Sequence, residues 1–163
     1  MIGLIQRVSR AQVSAADGRL LGAIQRGTLA LIGVRREDDR LAADRLLERL
    51  LAYRIFPDEA GRMNVSLRDA GGGLLLVPQF TLAADTDKGT RAGFSTAAAP
   101  EAARALFAYL VEQASARHSP VAAGEFGAQM QVELVNDGPV TFWLEARGGL
   151  SGSPDGRGQP HRS

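Results

Sequence analysis

Cysteine is absent from the sequence. Disulfide scaffolds, thiolate metal sites and cysteine nucleophiles are excluded together. Histidine is nearly absent, with only His118 and His161. Zinc or serine-type chemistry needs convergent histidine and acidic partners. Nothing in the spacing of these two supplies them, and they read as exposed histidines. No apolar run reaches the roughly 18 residues of a membrane span. The start, Met1-Ile2-Gly3-Leu4-Ile5-Gln6-Arg7, lacks the basic segment and long apolar stretch of a secretory signal. The expected compartment is the cytoplasm. An excess of one charge is also missing: Lys+Arg 19 against Asp+Glu 18 leaves +1. A broad grip on long nucleic acid rests on a clear basic excess, so that class is disfavoured. Contact with a short nucleic-acid end is not.

What is present is the material of one globular domain. The 163 residues are 45% hydrophobic and 23% charged, which is enough apolar material for a core and does not describe a disordered chain. The opening reads as strands. A mixed apolar–polar stretch runs from Leu4 to Val13, Asp17-Gly18 marks a turn, and an apolar segment spans Leu20 to Ile24. Leu29-Ala30-Leu31-Ile32-Gly33-Val34 is a continuous apolar run, as in a strand buried on both faces. Glu37-Asp38-Asp39 then reads as a helix start, where carboxylates meet unpaired N–H groups. Ala43, Leu46, Leu47, Leu50 and Leu51 recur at helical spacing behind it. Arg40, Arg45, Glu48 and Arg49 fall elsewhere on the wheel, as a solvated face or, less simply, an RNA contact.

Pro57 to Gly61 reads as a turn. Gly71-Gly72-Gly73 reads as a loop before a second apolar run, Leu74 to Val77; it precedes a strand and lacks a phosphate-loop pattern. A second helix is predicted from Pro100 to Arg117, with proline at its first position and a stripe of Ala103, Leu106, Phe107, Leu110, Val111 and Ala114. Ala99 is a poor cap for it. Strands return at Gln129–Val135 and Val140–Ala146, separated by Asn136-Asp137-Gly138-Pro139, where the proline fits a two-residue hairpin badly. From Gly148 apolar side chains almost vanish. Residues 1–147 read as the domain and 148–163 as a flexible tail.

Two polar segments follow apolar runs where a sheet ends. In Pro78-Gln79-Phe80-Thr81-Leu82, Thr81 offers a hydroxyl, Gln79 an amide, and the backbone N–H groups could face a developing oxyanion. Structural roles for a Thr and a Gln in a strand compete with that reading. In Asn136-Asp137-Gly138-Pro139-Val140-Thr141, glycine permits close approach and proline fixes φ. An X–Pro bond is where a cis peptide costs little, although a plain turn is the simpler reading.

These segments carry a resemblance. Ile2, Leu4-Ile5-Gln6-Arg7-Val8, Tyr53-Arg54-Ile55-Phe56, Met63-Asn64, Gln79-Phe80-Thr81-Leu82-Ala83-Ala84-Asp85-Thr86 and Val135-Asn136-Asp137-Gly138-Pro139-Val140-Thr141-Phe142 together resemble the D-aminoacyl-tRNA deacylases, over about residues 1–146. The resemblance implies an α/β (α+β) fold: a curved, barrel-like sheet with two main helices, in a homodimer. It implies hydrolysis of the ester joining a D-amino acid, or glycine, to the 3′ adenosine of tRNA, with no metal and no cofactor. Gly138-Pro139 resembles the family's Gly-cisPro motif, which one subunit inserts into the other's pocket so that an L side chain collides with it. Arg7 resembles the arginine that braces this loop, its other reading being a strand-surface arginine. The substrate-binding set is thus Gly138, Pro139, Arg7 and Asn136, and the catalytic set Gln79, Phe80 and Thr81.

An aminoacyl ester is already activated, so positioning and oxyanion stabilisation do most of the work. The resemblance implies attack by water assisted by the 2′-OH of the tRNA. The Phe80 and Thr81 backbone would hold the carbonyl, and Gln79 would shape its surroundings. A Thr81 nucleophile ranks lower, since no adjacent base is visible. One departure stands out: Pro78 occupies a position where the family usually has serine, removing a hydroxyl and an N–H. Two other readings compete: a non-catalytic binder of the tRNA acceptor end, and a threonine-dependent esterase.

Overall fold

A computed structural model describes residues 1–149. Six strands form one curved sheet: β1 (Ile2–Ala15), β2 (Leu20–Ile24), β3 (Gly27–Gly33), β6 (Gly73–Pro78), β7 (Val121–Ala123) and β8 (Met130–Glu145). The order is β2-β1-β3-β6-β7, with β8 on the other edge of β1. β1 is long enough to hold three neighbours. Its first half pairs β3, its second half pairs β2, and β8 runs antiparallel along nearly its whole length. The sheet curls until β2 meets β7, where a Cβ on Gly22 would lie only 3.1 Å from that of Ala122. The absence of a side chain at Gly22 lets the two strand ends approach. A small hairpin of β4 (Arg54–Pro57) and β5 (Met63–Ser66) stands apart from this sheet.

The helices cover one face. α1 (Arg40–Ala52) and α3 (Pro100–Arg117) are the two expected from periodicity, and α2 (Leu67–Ala70) adds a single turn. The start of α1 falls at the expected run of carboxylates. Asp39 is the cap, accepting from Ala42 N at 2.9 Å, and no acid lies in the first turn. Asp38 instead takes the N-terminal ammonium and the Arg35 N–H. Leu46, Leu47, Leu50 and Leu51 are fully buried against Ile5, Ala30, Ile32, Leu74 and Leu76 of the sheet. Each such leucine contributes about 1.5–3 kcal/mol through burial. α3 starts with Pro100 after Ala99, without a side-chain cap, as its sequence predicts.

The α1 arginines serve the fold. Arg45 Nη1 donates to Arg147 O at 2.8 Å, Arg49 Nη1 donates to Glu145 O, and Arg40 lies over the Tyr109 ring of α3. Arg45 and Arg49 tie the end of β8 to α1, and Arg40 ties α1 to α3. Gly148 and Gly149, the first residues of the expected tail, also touch this region through Arg45 and Asp39. The rest of that segment, including His161, lies outside the described residues. His118, read as exposed, is half-buried, with Nε2 2.7 Å from Gly72 O. That contact anchors the end of α3 to the glycine loop before β6.

Candidate active site

β6 ends at Pro78, and the next residues turn. Gln79 N donates to Ile32 O at 2.8 Å, the last step of the parallel pairing with β3. Phe80–Ala83 then forms a 3₁₀ turn capped by Gln79. Gln79 and Thr81 are therefore not strand residues, because the chain leaves the sheet one position before Gln79. The turn's bonds run from Leu82 N to Gln79 O and from Ala84 N to Thr81 O. The N–H groups of Phe80 and Thr81 open the turn and have no acceptor within it.

This turn borders a cavity of about 1070 Å³ on the sheet face away from α1, with Pro100, Ala102 and Ala103 from the first turn of α3 in its lining. Leu29, Leu31, Val77, Val132 and Leu134 line its walls, with Pro78, Gln79, Phe80 and Phe94 toward the opening. Gln6 and Arg36 also reach it, and Arg36 is its single charged lining residue among the described residues. Phe80 is 61% exposed and Phe94 45%, and their rings pack at 5.3 Å between centroids. Thr81 is exposed and does not line this cavity. Its hydroxyl has no imidazole or carboxylate partner among the described residues.

The second polar segment lies elsewhere. The expected break between two strands is instead a bulge within one, β8. Asn136 pairs with Val8 and Thr141 with Gln6, so Asp137–Val140 loop out opposite the single residue Arg7. Asn136 Nδ2 closes the neck, donating to Arg7 O at 3.0 Å and Val140 O at 2.9 Å. Arg7 Nε donates to Asp137 O at 3.0 Å and Nη1 to Ile55 O at 2.8 Å. Arg7 is thus a brace linking the bulge to β4, rather than a bare strand-surface residue. The Gly138-Pro139 bond is cis, not the plain turn favoured by composition, and a second cis bond joins Ser119 and Pro120. Gly138 has φ +139°, and a Cβ there would lie 2.7 Å from Val140 Cγ2. Only glycine fits this position without strain.

The two candidate sets do not meet within the chain. None of Arg7, Asn136, Gly138 and Pro139 lines the cavity that Gln79 and Phe80 border. Strand alternation explains the separation. Gln6 points into the cavity, so its neighbour Arg7 must point to the opposite face. Gln6, Arg36 and Phe94 were not singled out from sequence. Alternation along β1 could have marked Gln6, but no local signal marks Phe94.

A nearly closed sheet, helices on one face and a wide apolar cavity on the other define an α+β protein whose site presents amide and backbone groups. Comparison sharpens this. The D-Tyr-tRNA(Tyr) deacylase family model matches residues 4–145. A D-aminoacyl-tRNA deacylase of Alkalilimnicola ehrlichii is 66% identical over 147 residues, covering 90% of this chain and 97% of that protein. One from Stutzerimonas stutzeri is 60% identical over 146 residues, covering 90% and 100%. A solved structure described as a c-Myc DNA unwinding element binding protein is 36% identical, with a TM-score of 0.85, covering 91% of this chain and 100% of its own. Another, described as a probable eukaryotic D-amino acid tRNA deacylase, shares the fold at 16% identity and a TM-score of 0.77, covering 88% and 98%. The chain belongs to the D-Tyr-tRNA(Tyr) deacylase family, and with it to the hydrolases of ester bonds.

Proposed function

We propose that the protein hydrolyses the ester between a D-amino acid, or glycine, and the 3′ adenosine of tRNA, in the cytoplasm, releasing the free amino acid and tRNA. The observation that carries this reading is a site without acid–base side chains. Among the described residues, the cavity beside Gln79 and Phe80 has no histidine or carboxylate in its lining, and Arg36 is its single charge. An activated ester needs none of these groups if the 2′-OH of the RNA assists the attacking water. The Phe80 and Thr81 N–H groups then stabilise the oxyanion and Gln79 orients the carbonyl.

Chiral selection falls to the Gly138-Pro139 bulge of a second copy. The bulge is held outward by Arg7 and Asn136, away from its own chain's cavity. An open apolar face supports the pairing. Trp143 is 49% exposed and pairs from β8 with half-buried Leu4 of β1, on the same face as Gln6. Burying such a face against a second copy gives each cavity a rigid backbone wedge that rejects an L side chain sterically.

The test compares D-tyrosyl-tRNA, L-tyrosyl-tRNA and D-tyrosyl-tRNA ending in 2′-deoxyadenosine. Turnover of the first alone is expected. Equal hydrolysis of both hands would remove the wedge from the mechanism, and full turnover of the deoxy substrate would remove the 2′-OH. Thr81→Val should retain turnover within about threefold, since its N–H is preserved. Its complete loss, with a trapped acyl-enzyme, would favour the threonine esterase.

A further inference from the structure

The cavity rim carries a second feature that the reaction itself does not use. After the 3₁₀ turn the chain makes a loop pinned at its foot by Asp85 N to Gly93 O at 2.8 Å and Gly93 N to Asp85 O at 2.9 Å. Phe94, which packs on Phe80, follows directly. Thr96 Oγ1 donates to Ala83 O at 2.6 Å and Arg36 N to Thr96 O at 3.0 Å, so the loop is stapled to Arg36. Asp85 Oδ1 turns back onto Asp87 N at 3.0 Å, toward the foot of the loop. The outer part holds Lys88, Gly89, Thr90 and Arg91, all exposed, with Gly89 at φ +71°. Lys88 is the sole lysine of the chain.

Arg36, Lys88 and Arg91 share a property that most other cations here lack. Among the described residues their side chains form no ion pair or hydrogen bond. By contrast, Arg7, Arg19, Arg35, Arg68 and Arg117 face carboxylates. The α1 arginines are engaged with carbonyls and a ring. Cations already bound to the fold lose little and gain little by meeting an anion, whereas uncommitted ones remain available to it. Arg36 lines the cavity with the exposed rings of Phe80 and Phe94, and Lys88 and Arg91 lie on the loop whose foot, Gly93, directly precedes Phe94. A cationic track next to aromatic faces is how proteins hold single-stranded nucleic acid.

We propose that Arg36, Lys88 and Arg91 bind the phosphates of the single-stranded 3′ end of tRNA as it enters the cavity, with the loop from Asp85 to Gly93 as the gripping element. The inference rests on the proposed tRNA substrate and names the surface that receives it. Three phosphate contacts on a single strand give a salt slope of about −2. That value suits a chain of near-neutral net charge, which cannot hold the whole tRNA electrostatically.

The test measures binding of a short 5′-labelled single-stranded RNA ending in CCA, and turnover of D-tyrosyl-tRNA and of D-tyrosyl-adenosine, which has no phosphate. For Lys88→Ala/Arg91→Ala, RNA affinity should fall about tenfold at low salt, and the slope of log Kd against log salt should flatten by about 1.4. KM for the tRNA should rise far more than KM for the nucleoside ester. The charge-preserving Lys88→Arg/Arg91→Lys should keep most of the affinity. Unchanged affinity and slope would overturn the proposal, as would equal losses on both substrates or a charge-preserving variant as weak as the alanine one. RNA binding is read without turnover. A wild-type protein that deacylates nothing would therefore refute the proposed function, while the binding data still decide the phosphate grip.

Discussion

One face of the six-stranded sheet is sealed by α1 and α3, and the other is left open around the cavity. The same strands build both, since alternate residues of β3 divide between them. Ala30 and Ile32 are buried under the helices, while Leu29 and Leu31 line the cavity. Arginines follow the same division. Arg45 and Arg49 of α1 are spent holding the end of β8, whereas Arg36 at the cavity is uncommitted. The sealed face holds the fold in place. The open face and the bulge projecting from the sheet are free to meet a substrate or a second copy.

The comparison is broken most strongly on the sealed side. Leu47→Ala should cost about 2–5 kcal/mol in chemical denaturation, because the leucine is fully buried between helix and sheet. Leu31→Ala, on the half-buried cavity wall, should cost less than about 1.5 kcal/mol. Equal costs would mean that the open face is as tightly packed as the closed one.

The bulge should respond in the opposite way, in activity more than in stability. Gly138→Ala places a Cβ against Val140 at a φ that L residues rarely adopt. A displaced wedge should lower the discrimination between D- and L-tyrosyl-tRNA, or the rate on the D substrate, by about 10²-fold. Wild-type rate and selectivity together would show that the bulge takes no part in the site.

The smallest effect concerns the join between the two faces. Arg35 meets Glu145 at 3.0 and 3.2 Å, and Trp143 Nε1 donates to Glu145 Oε1 at 2.8 Å. The Arg35 hydrogen bonds, followed by that of Trp143, lower the Glu145 carboxyl from 4.5 to about 2. A depressed carboxylate stabilises the fold fully above its ordinary value and loses this contribution as pH falls from about 4.5 toward 2. Because Glu145 is more than a third exposed, solvent screens the pair to about 0.5–1 kcal/mol. Glu145→Gln should lower stability by that amount at pH 7 and flatten acid unfolding across this window. An unchanged acid-unfolding curve would show that the pair contributes nothing.

Local patterns were legible where one residue's neighbours decide its fate. The spacing of Leu46, Leu47, Leu50 and Leu51 fixes α1, and Pro100 with Leu106 and Leu110 fixes α3, because a helix is a local object. Arg7, Gly138 and Pro139 were legible as motif residues, as were Gln79 and Phe80. The β4–β5 hairpin and β7 were missed because they are short and weakly alternating. Reading Asn136–Pro139 as a break failed for a different reason. β1 supplies an unbroken partner that carries β8 across the bulge.

By itself the sequence determined the elements and the chemistry that is missing: two amphipathic helices, apolar strands, no thiol, and imidazoles too few and too scattered to form a catalytic set. Those follow from side-chain type and period alone. Tertiary structure decided that Gln6 and Arg7, neighbours in the chain, serve opposite faces. It also brought Phe94 onto Phe80 and left the cavity and the Gly138 bulge of one chain apart. The first and last of these depend on strand register and sheet closure, which join residues more than a hundred positions apart, and the Phe80–Phe94 contact depends on the loop closed between Asp85 and Gly93.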